Sequence, residues 1–428
     1  MKPLAAAALA LALLALAAAC KAAGEAPPTA SPTPTARAVP TATATLVPTP
    51  IPGAAEPSGP GIYLIRPDGR DLRLIQPGVN TARFSPTDNR LAITEFCEAP
   101  STVVIADPEA GTSKTIATFN GIVTNTAWSP DGNRLLVGVI DESNPRTPVV
   151  YLVDTGGIQQ PTELFIGNLF AWSPDGEQIA FGPPPAAESR LAIFNLADRS
   201  TISVRTDGNV SDAVWSPDGD RLAYSWHSDS FQDSRVVTVD RRGQNSTLVA
   251  EGATVHSWSA NGQRIYVALS TGEQNVPFAV VPLDGSSPPA SLGVAGLVAV
   301  APDEETLAVY RHYGIQQTEI VIADSAGGSP RRVSAAVRPV SGAAFSPDGQ
   351  LLAFTGEERE DGAGGAIISS RGWNVYTVDL DGANLRRLLS PDVNVVFNDW
   401  SPDGRWIMFY VGPITGCGEP FGSGSPTP

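Results

Sequence analysis

The side chains best suited to selective chemistry are few in this chain of 428 residues: three cysteines (Cys20, Cys97, Cys417) and three histidines (His227, His256, His312). That supply excludes a cysteine-rich zinc site and a disulfide-dense scaffold. Two of the histidines have aromatic neighbours, in "SWHSDSF" at Trp226 and His227 and in "YRHYG" at His312 and Tyr313. Rings with a polar tip suit a recognition patch. A third ligand at a known metal spacing is absent, so no metal and no cofactor is assigned. "GEEREDGAGGAIISSRGW" offers Glu357, Glu358, Glu360 and Asp361, then Arg371 and Trp373. Such a run suits a cation or a basic partner, or is simply a solvated insertion. No nucleophile, base and orienting group can be placed together, so no catalytic residue is assigned.

The composition bounds the rest. A hydrophobic fraction of 42% marks a folded globular chain, and 41 glycines with 39 prolines favour an all-β fold with many turns. The formal charge of −16 argues against electrostatic capture of nucleic acid or of an anionic membrane surface.

The elements that must position these residues follow from a repeat. Aromatic anchors stand at Phe84, Trp128, Trp172, Trp215, Trp258, Phe345 and Trp400, with Val300 as a degenerate copy, and most are followed by "SPDG" or a near relative. Steps of 42 to 45 residues, with one of 55, match the period of four-stranded propeller blades. Apolar residues recur seven and nine places after each anchor, as at Leu135 and Val137 or Leu222 and Tyr224, which is the period of a strand. The residue between them is also apolar, so both faces of that strand are buried. Proline fixes φ, aspartate suits the next turn position, and glycine takes the positive φ that folds the chain back as a hairpin. Asp88 and Gly262 occupy the positive-φ place in "FSPTD" and "WSANG". "VAPDE" puts Glu304 there, which predicts a distorted turn in that blade.

A second ladder, "VYLVDTGG", "VVTVDRRG", "VYTVDLDG" and their relatives, marks a third strand leading into a fourth. Naming the strands A to D outward from the axis, the anchor ends A. The domain opens with a C and D pair at Ile62 to Ile75 and ends with an A and B pair at Val393 to Val411. Joining these half-blades predicts a single all-β propeller of eight antiparallel blades, with seven as the alternative count, and leaves no open edge.

The "[W/F]SPDG" turn, followed by its apolar strand and then by "VYTVDLDG", resembles the TolB-type, WD40-like propeller repeat over roughly 61–411. The resemblance implies a protein-binding or accessory module more often than an enzyme. Six or seven blades are usual there, so eight is a departure. A sialidase-type Asp box fails on spacing, and no segment is long enough for the catalytic domain of a propeller peptidase.

The short SPDG and C–D turns share one face, and the more variable B–C loops share the other, where binding is expected. The expected rim comprises Trp226, His227, His312, Tyr313, Glu357, Glu358, Arg371 and Trp373. Cys97 and Cys417 follow the B strands of neighbouring repeats in a closed ring, and a disulfide between them is expected. Residues 1–19, with Lys2 and the apolar run Leu4 to Ala18, read as an export signal too short to span a bilayer comfortably. A signal ending in Cys20 resembles that of bacterial lipoproteins, which implies a lipidated cysteine and a place in the cell envelope; Ala17 departs from the leucine usual there. Residues 20–60 carry that cysteine and a Pro/Thr/Ala-rich disordered tether, 61–417 the propeller, and 418–428 a disordered tail. The expected function is a monomeric, non-catalytic module that binds a protein or glycan, with no nucleic acid and the membrane met only through lipid. The alternative is an enzyme acting on polysaccharide, a lyase or glycoside hydrolase, with Glu95, His227, His312, Glu357 or Glu358 at an axial rim.

Overall fold

Strands buried on both faces need a neighbouring sheet on either side, and a ring of sheets supplies one to each. The computed structural model describes residues 49–50 and 56–412, apart from 80, 95–98, 142–145, 185–189, 231, 271–276, 285–289, 292–296, 313–317, 325–330, 334–336, 359–371 and 390–393. These residues build eight antiparallel sheets in an eight-bladed propeller.

Blade 1 comprises Thr81–Phe84, Leu91–Thr94, Ser101–Asp107 and Thr112–Phe119. Blade 2 comprises Ile122–Trp128, Arg134–Ile140, Val149–Asp154 and Thr162–Ile166, and blade 3 Asn168–Trp172, Gln178–Gly182, Leu191–Asn195 and Thr201–Val204. Asn209–Trp215, Arg221–His227, Ser234–Asp240 and Thr247–Glu251 make blade 4; Ala253–Trp258, Arg264–Leu269, Phe278–Pro282 and Ala290–Ser291 make blade 5. Blade 6 holds Leu297–Val300, Thr306–His312, Thr318–Asp324 and Arg331–Arg332. Blade 7 holds Val337–Phe345, Leu351–Glu358, Asn374–Asp379 and Arg386–Arg387. Blade 8 is made by both ends of the domain: Val395–Trp400 and Ile407–Val411, then Gly61–Ile65 and Arg73–Pro77. Gly61–Ile65 pairs antiparallel with Ile407–Val411, in the register Gly61 to Val411 and Ile65 to Ile407. The expected closure is therefore formed. Thr49–Pro50, within the segment expected as a tether, pair in parallel with Arg386–Arg387 as a fifth strand of blade 7.

The core is divided into layers, with a cluster at each blade boundary. Leu135 and Val137 pack against blade 1, whereas Leu136 between them packs with Trp172 and Ile179 of blade 3. Leu222 and Tyr224 likewise face blade 3, and Ala223 faces blade 5. Where the middle residue is small, as at Ala223, it lets one blade approach the next while its larger flankers fill the other side. Ile62, Leu64 and Met408 pack against Phe84 and Leu91, so the joined blade is sealed to blade 1 like the others.

Candidate functional site

The SPDG turn is a small hydrogen-bonded machine. In Ser129–Gly132 the Gly132 N–H donates to the Ser129 carbonyl at 2.9 Å, and Gly132 takes φ 68°. Ser129 Oγ donates to Asp131 Oδ1 at 2.5 Å and accepts from the Arg134 N–H at 2.9 Å. The same serine bridge recurs at Ser173, Ser216, Ser346 and Ser401. All of these serines are buried. Each aspartate of such a bridge is held below the usual carboxylate range: at Asp131 and Asp218 the serine hydrogen bond is the largest cause. The turn role expected of the aspartate is thus shared by the serine, and the signal for it is the presence of serine in almost every copy of the turn.

The expected distortion at Glu304 is absent. Glu304 takes φ 57° and its N–H donates to the Ala301 carbonyl at 2.9 Å, as glycine does elsewhere. Asp303 stands in for the missing serine, since its Oδ1 accepts from the Glu305 and Thr306 N–H groups at 2.9 and 3.0 Å. Blade 1 is where the turn changes. Asp88 is not at positive φ among the described residues, and 86–89 form bends rather than a turn. Asp88 there accepts from the Arg90 N–H at 3.0 Å.

The anchors join one blade to the next. The indole N–H of Trp128 donates to the Arg83 carbonyl (3.1 Å), that of Trp172 to Ala127 (3.3 Å), that of Trp258 to Val214 (3.1 Å) and that of Trp400 to Ala344 (3.0 Å). Arginines six places after an anchor complete the joint: Arg90, Arg134 and Arg221 lie 5.7, 5.4 and 5.2 Å from the rings of Trp128, Trp172 and Trp258. Arg90 and Arg221 also donate to the carbonyls of Gly132 and Gly262. The rule does not hold at every boundary, since the sixth place carries Thr306, Leu351 and Trp406 in blades 6, 7 and 8. Between blades 3 and 4 the arginine is replaced by Gln178, and the Trp215 indole nitrogen has no hydrogen-bond partner.

The expected rim does not form one patch among the described residues. Trp226 lies in a strand, 7% exposed, within the cluster between blades 3 and 4 and under the Arg235 guanidinium at 4.3 Å. A Cβ on Gly208 would stand 2.5 Å from its Nε1, so glycine is what admits the ring. This places Trp226 in the core rather than on an open rim. His227 ends the same strand, with its Nε2 3.0 Å from Ser211 Oγ. Burial lowers its pKa, against the opposing charge of Asp212. His312 ends the corresponding strand of blade 6. Tyr313, Arg371, Cys20, Cys97 and Cys417 lie outside the described residues, so the expected disulfide and lipid site do too. Trp373 packs against the cluster between blades 7 and 8.

The two rim carboxylates belong to a strand that runs to Glu358, so the first three residues of the expected "GEEREDGAGGAIISSRGW" loop, from Gly356, are strand. Glu357 is 3% exposed, and its Oε1 accepts from Arg338 Nε at 2.5 Å. Glu358 Oε1 accepts from Arg387 at 2.8 Å. Burial, followed by the Glu358 charge, pushes the nearby Tyr376 hydroxyl up. Two other titrating groups stand on innermost strands. Burial pushes His256 down to about 4, and burial raises Asp399 against the opposing Trp400 N–H and the charge of Arg83.

Comparison with known proteins places this geometry. A family model, the TolB beta propeller domain (PD40), matches residues 67–297, more than half of the chain. No curated protein matches. Among solved structures, dipeptidyl peptidase 4 from Porphyromonas gingivalis is similar with TM-score 0.57 at 16% identity, over 77% of this chain and 56% of that one. A eukaryotic initiation factor gives TM-score 0.51 at 13% identity, over 83% and 98%. TolB from Acinetobacter baumannii gives 0.40 at 15% identity over 78% of this chain, which spans 65% of that protein. At such identities the likeness concerns the fold.

Proposed function

We propose, from the premise that this chain belongs to the TolB β-propeller domain family, that it is a non-catalytic binding platform. It takes a protein or glycan on the face bearing the B–C loops and is held outside the cytoplasm, at a bacterial membrane, through lipidated Cys20. The observation that carries the non-catalytic reading is the disposition of the candidate acid–base groups. Glu357 and Glu358 are each committed to an arginine, and His227 belongs to blade 4, three blades away, which leaves His312 of the neighbouring blade 6 without an uncommitted carboxylate from this pair. Hydrolysis or elimination on a polysaccharide needs an acid and a base flanking one bond.

The test is a pull-down from envelope extract with the full propeller, beside a variant lacking 359–371, together with a polysaccharide turnover screen. A co-purifying partner that the variant loses, with no turnover, is expected. Turnover abolished by Glu358→Gln would replace this reading with the enzymatic one. For the anchor, Cys20→Ala is expected to move the protein from the membrane to the soluble fraction, and an unchanged distribution would overturn lipid attachment.

A further inference from the structure

The departure between blades 3 and 4 adjoins a hollow on the opposite, turn-bearing face. Its volume is about 670 Å³, and its lining includes Arg134, Asp175, Glu177, Gln178, Asp198 and Arg241. Three elements meet there: the SPDG turn of blade 3, the C–D turn of the same blade, and Arg241, which reaches back from the C–D turn of blade 4.

The polar inventory of this hollow does not balance. Arg241 donates to Asp175 Oδ2 at 2.9 Å and stands 3.6 Å from Glu177. Arg134 is engaged beside Trp172 and Asp131. On the acceptor side stands Gln178, 6% exposed. Its Nε2 donates to Asn195 Oδ1 at 2.6 Å and to the Arg241 carbonyl at 3.4 Å, and its Oε1 has no partner. Turning the amide over brings no relief, because both neighbours are acceptors: the Asn195 amide nitrogen already donates to Ser200 Oγ at 2.8 Å. A buried acceptor left unpaired carries a desolvation cost, and a donor that reached Gln178 Oε1 would relieve it. The carboxylates of Asp175, Glu177 and Asp198 also outnumber the two arginines.

We infer that this hollow is a second binding site, distinct from the loop-face site proposed above, and that it takes the guanidinium of an arginine side chain from a partner protein. A guanidinium brings five donors and a positive charge to a place short of both. The repeat offers a precedent for the chemistry: at three boundaries this chain provides that group itself, through Arg90, Arg134 and Arg221, and between blades 3 and 4 the same position carries Gln178.

The test titrates the full propeller with acetyl-Gly-Arg-Gly-amide, followed by NMR on a sample labelled at glutamine and asparagine side chains. The control probe carries citrulline, which keeps the shape and loses the charge. Saturable binding with a Kd near 1 mM or tighter, about −4 kcal/mol, is expected for the arginine probe, with the Gln178 amide signals shifting. Citrulline is expected to bind at least tenfold more weakly. Gln178→Met keeps the side-chain length and removes the acceptor, and Asp198→Asn removes the charge of an exposed group while keeping an oxygen for the Ser200 N–H it accepts from at 2.9 Å; each is expected to weaken binding at least threefold. Equal binding of both probes, no binding to the wild type, or an unchanged affinity in Asp198→Asn with its fold intact would overturn the inference. None of these outcomes depends on whether the loop-face site exists.

Discussion

In blade 8 the turn Ser401–Gly404 leads into Trp406, whereas in blade 6 the equivalent stretch reads Ala301–Glu304 and leads into Thr306. Both turns close with the same hydrogen bond, 2.8 Å from Gly404 and 2.9 Å from Glu304. What differs is the attachment to the neighbours. Trp406 is fully buried, with Arg66 and Arg73 at 3.9 and 4.5 Å from its ring, and its indole N–H donates to Glu109 of blade 1 at 2.8 Å. Arg405 pairs with the same glutamate, and Asp403 accepts from Asn89 at 2.7 Å. Blade 6 has Val300 in place of the anchor and no indole to reach blade 5. The difference separates two tasks: turn geometry survives the loss of serine, glycine and aromatic together, while cohesion of the ring concentrates at the blade whose strands come from opposite ends of the domain.

The sharpest way to break this comparison is Trp406→Ala. Removing a fully buried indole and its ion-stacked surroundings is expected to cost about 3–5 kcal/mol, against under about 1.5 kcal/mol for Thr306→Ala at the matching place. Urea unfolding followed by tryptophan fluorescence and by circular dichroism would read both. Equal losses would show that the joined blade is held no more firmly than an ordinary one.

The next contrast is in the serine. Ser401→Ala removes the acceptor for the Trp406 backbone N–H, 2.9 Å away, and the hydroxyl that holds Asp403. A loss of about 1–2 kcal/mol is expected. Ala301→Ser is expected to gain well under that, because Asp303 already accepts from Thr306. A gain as large as the Ser401 loss would mean that Asp303 does not substitute.

How much of this was legible depended on what repeats. The eight blades, the antiparallel order and the joining of Gly61–Ile65 to Ile407–Val411 follow from spacing and alternation, which report burial directly. The rim was less legible because strand length is set by the partner strand. Val337–Phe345 is long enough to pair Arg338 with Glu357, so a charged "GEE" that reads as loop continues as strand. Trp226 reads as a rim aromatic, and only Gly208, close in space through the adjoining inner strand, shows that the ring is enclosed. At Glu304 turn propensity was the wrong criterion, since a single aspartate three atoms from the backbone satisfied the same N–H groups. Gln178 was visible as a missing arginine, yet its unpaired oxygen depends on Asn195 and Arg241, which no spacing connects.

Acid should distinguish the two blades by a smaller amount. Asp403 is held well below the usual carboxylate range by Asn89, the Arg405 N–H, Ser401 and the Arg405 side chain, which together outweigh burial. A depressed carboxylate stabilises the fold above its unfolded pKa near 4, and that contribution is lost as pH falls through its folded value. Because the group is partly exposed, about 1 kcal/mol is expected. Asp403→Asn should therefore lower the melting temperature at pH 7, and the difference from wild type should shrink as pH falls from 4 toward 2. A constant difference across that range would assign the effect to packing.

The smallest expected change runs in the other direction. Glu304 holds φ 57°, a conformation that costs a side chain with a Cβ on the order of 1 kcal/mol and costs glycine little. Glu304→Gly restores the repeat's own residue, and part of the relief is offset by the freer unfolded chain. A gain of about 0.5 kcal/mol is expected, read as a small rise in the urea midpoint with the slope unchanged. Glycine at this place already serves in blades 2, 3, 4, 5, 7 and 8, so the substitution asks only whether blade 6 holds its turn against strain. A loss of stability would mean that the Glu304 side chain supports the boundary with blade 5, where its charge acts on Tyr266, and blade 6 would then be stitched to its neighbour by a contact outside the repeat.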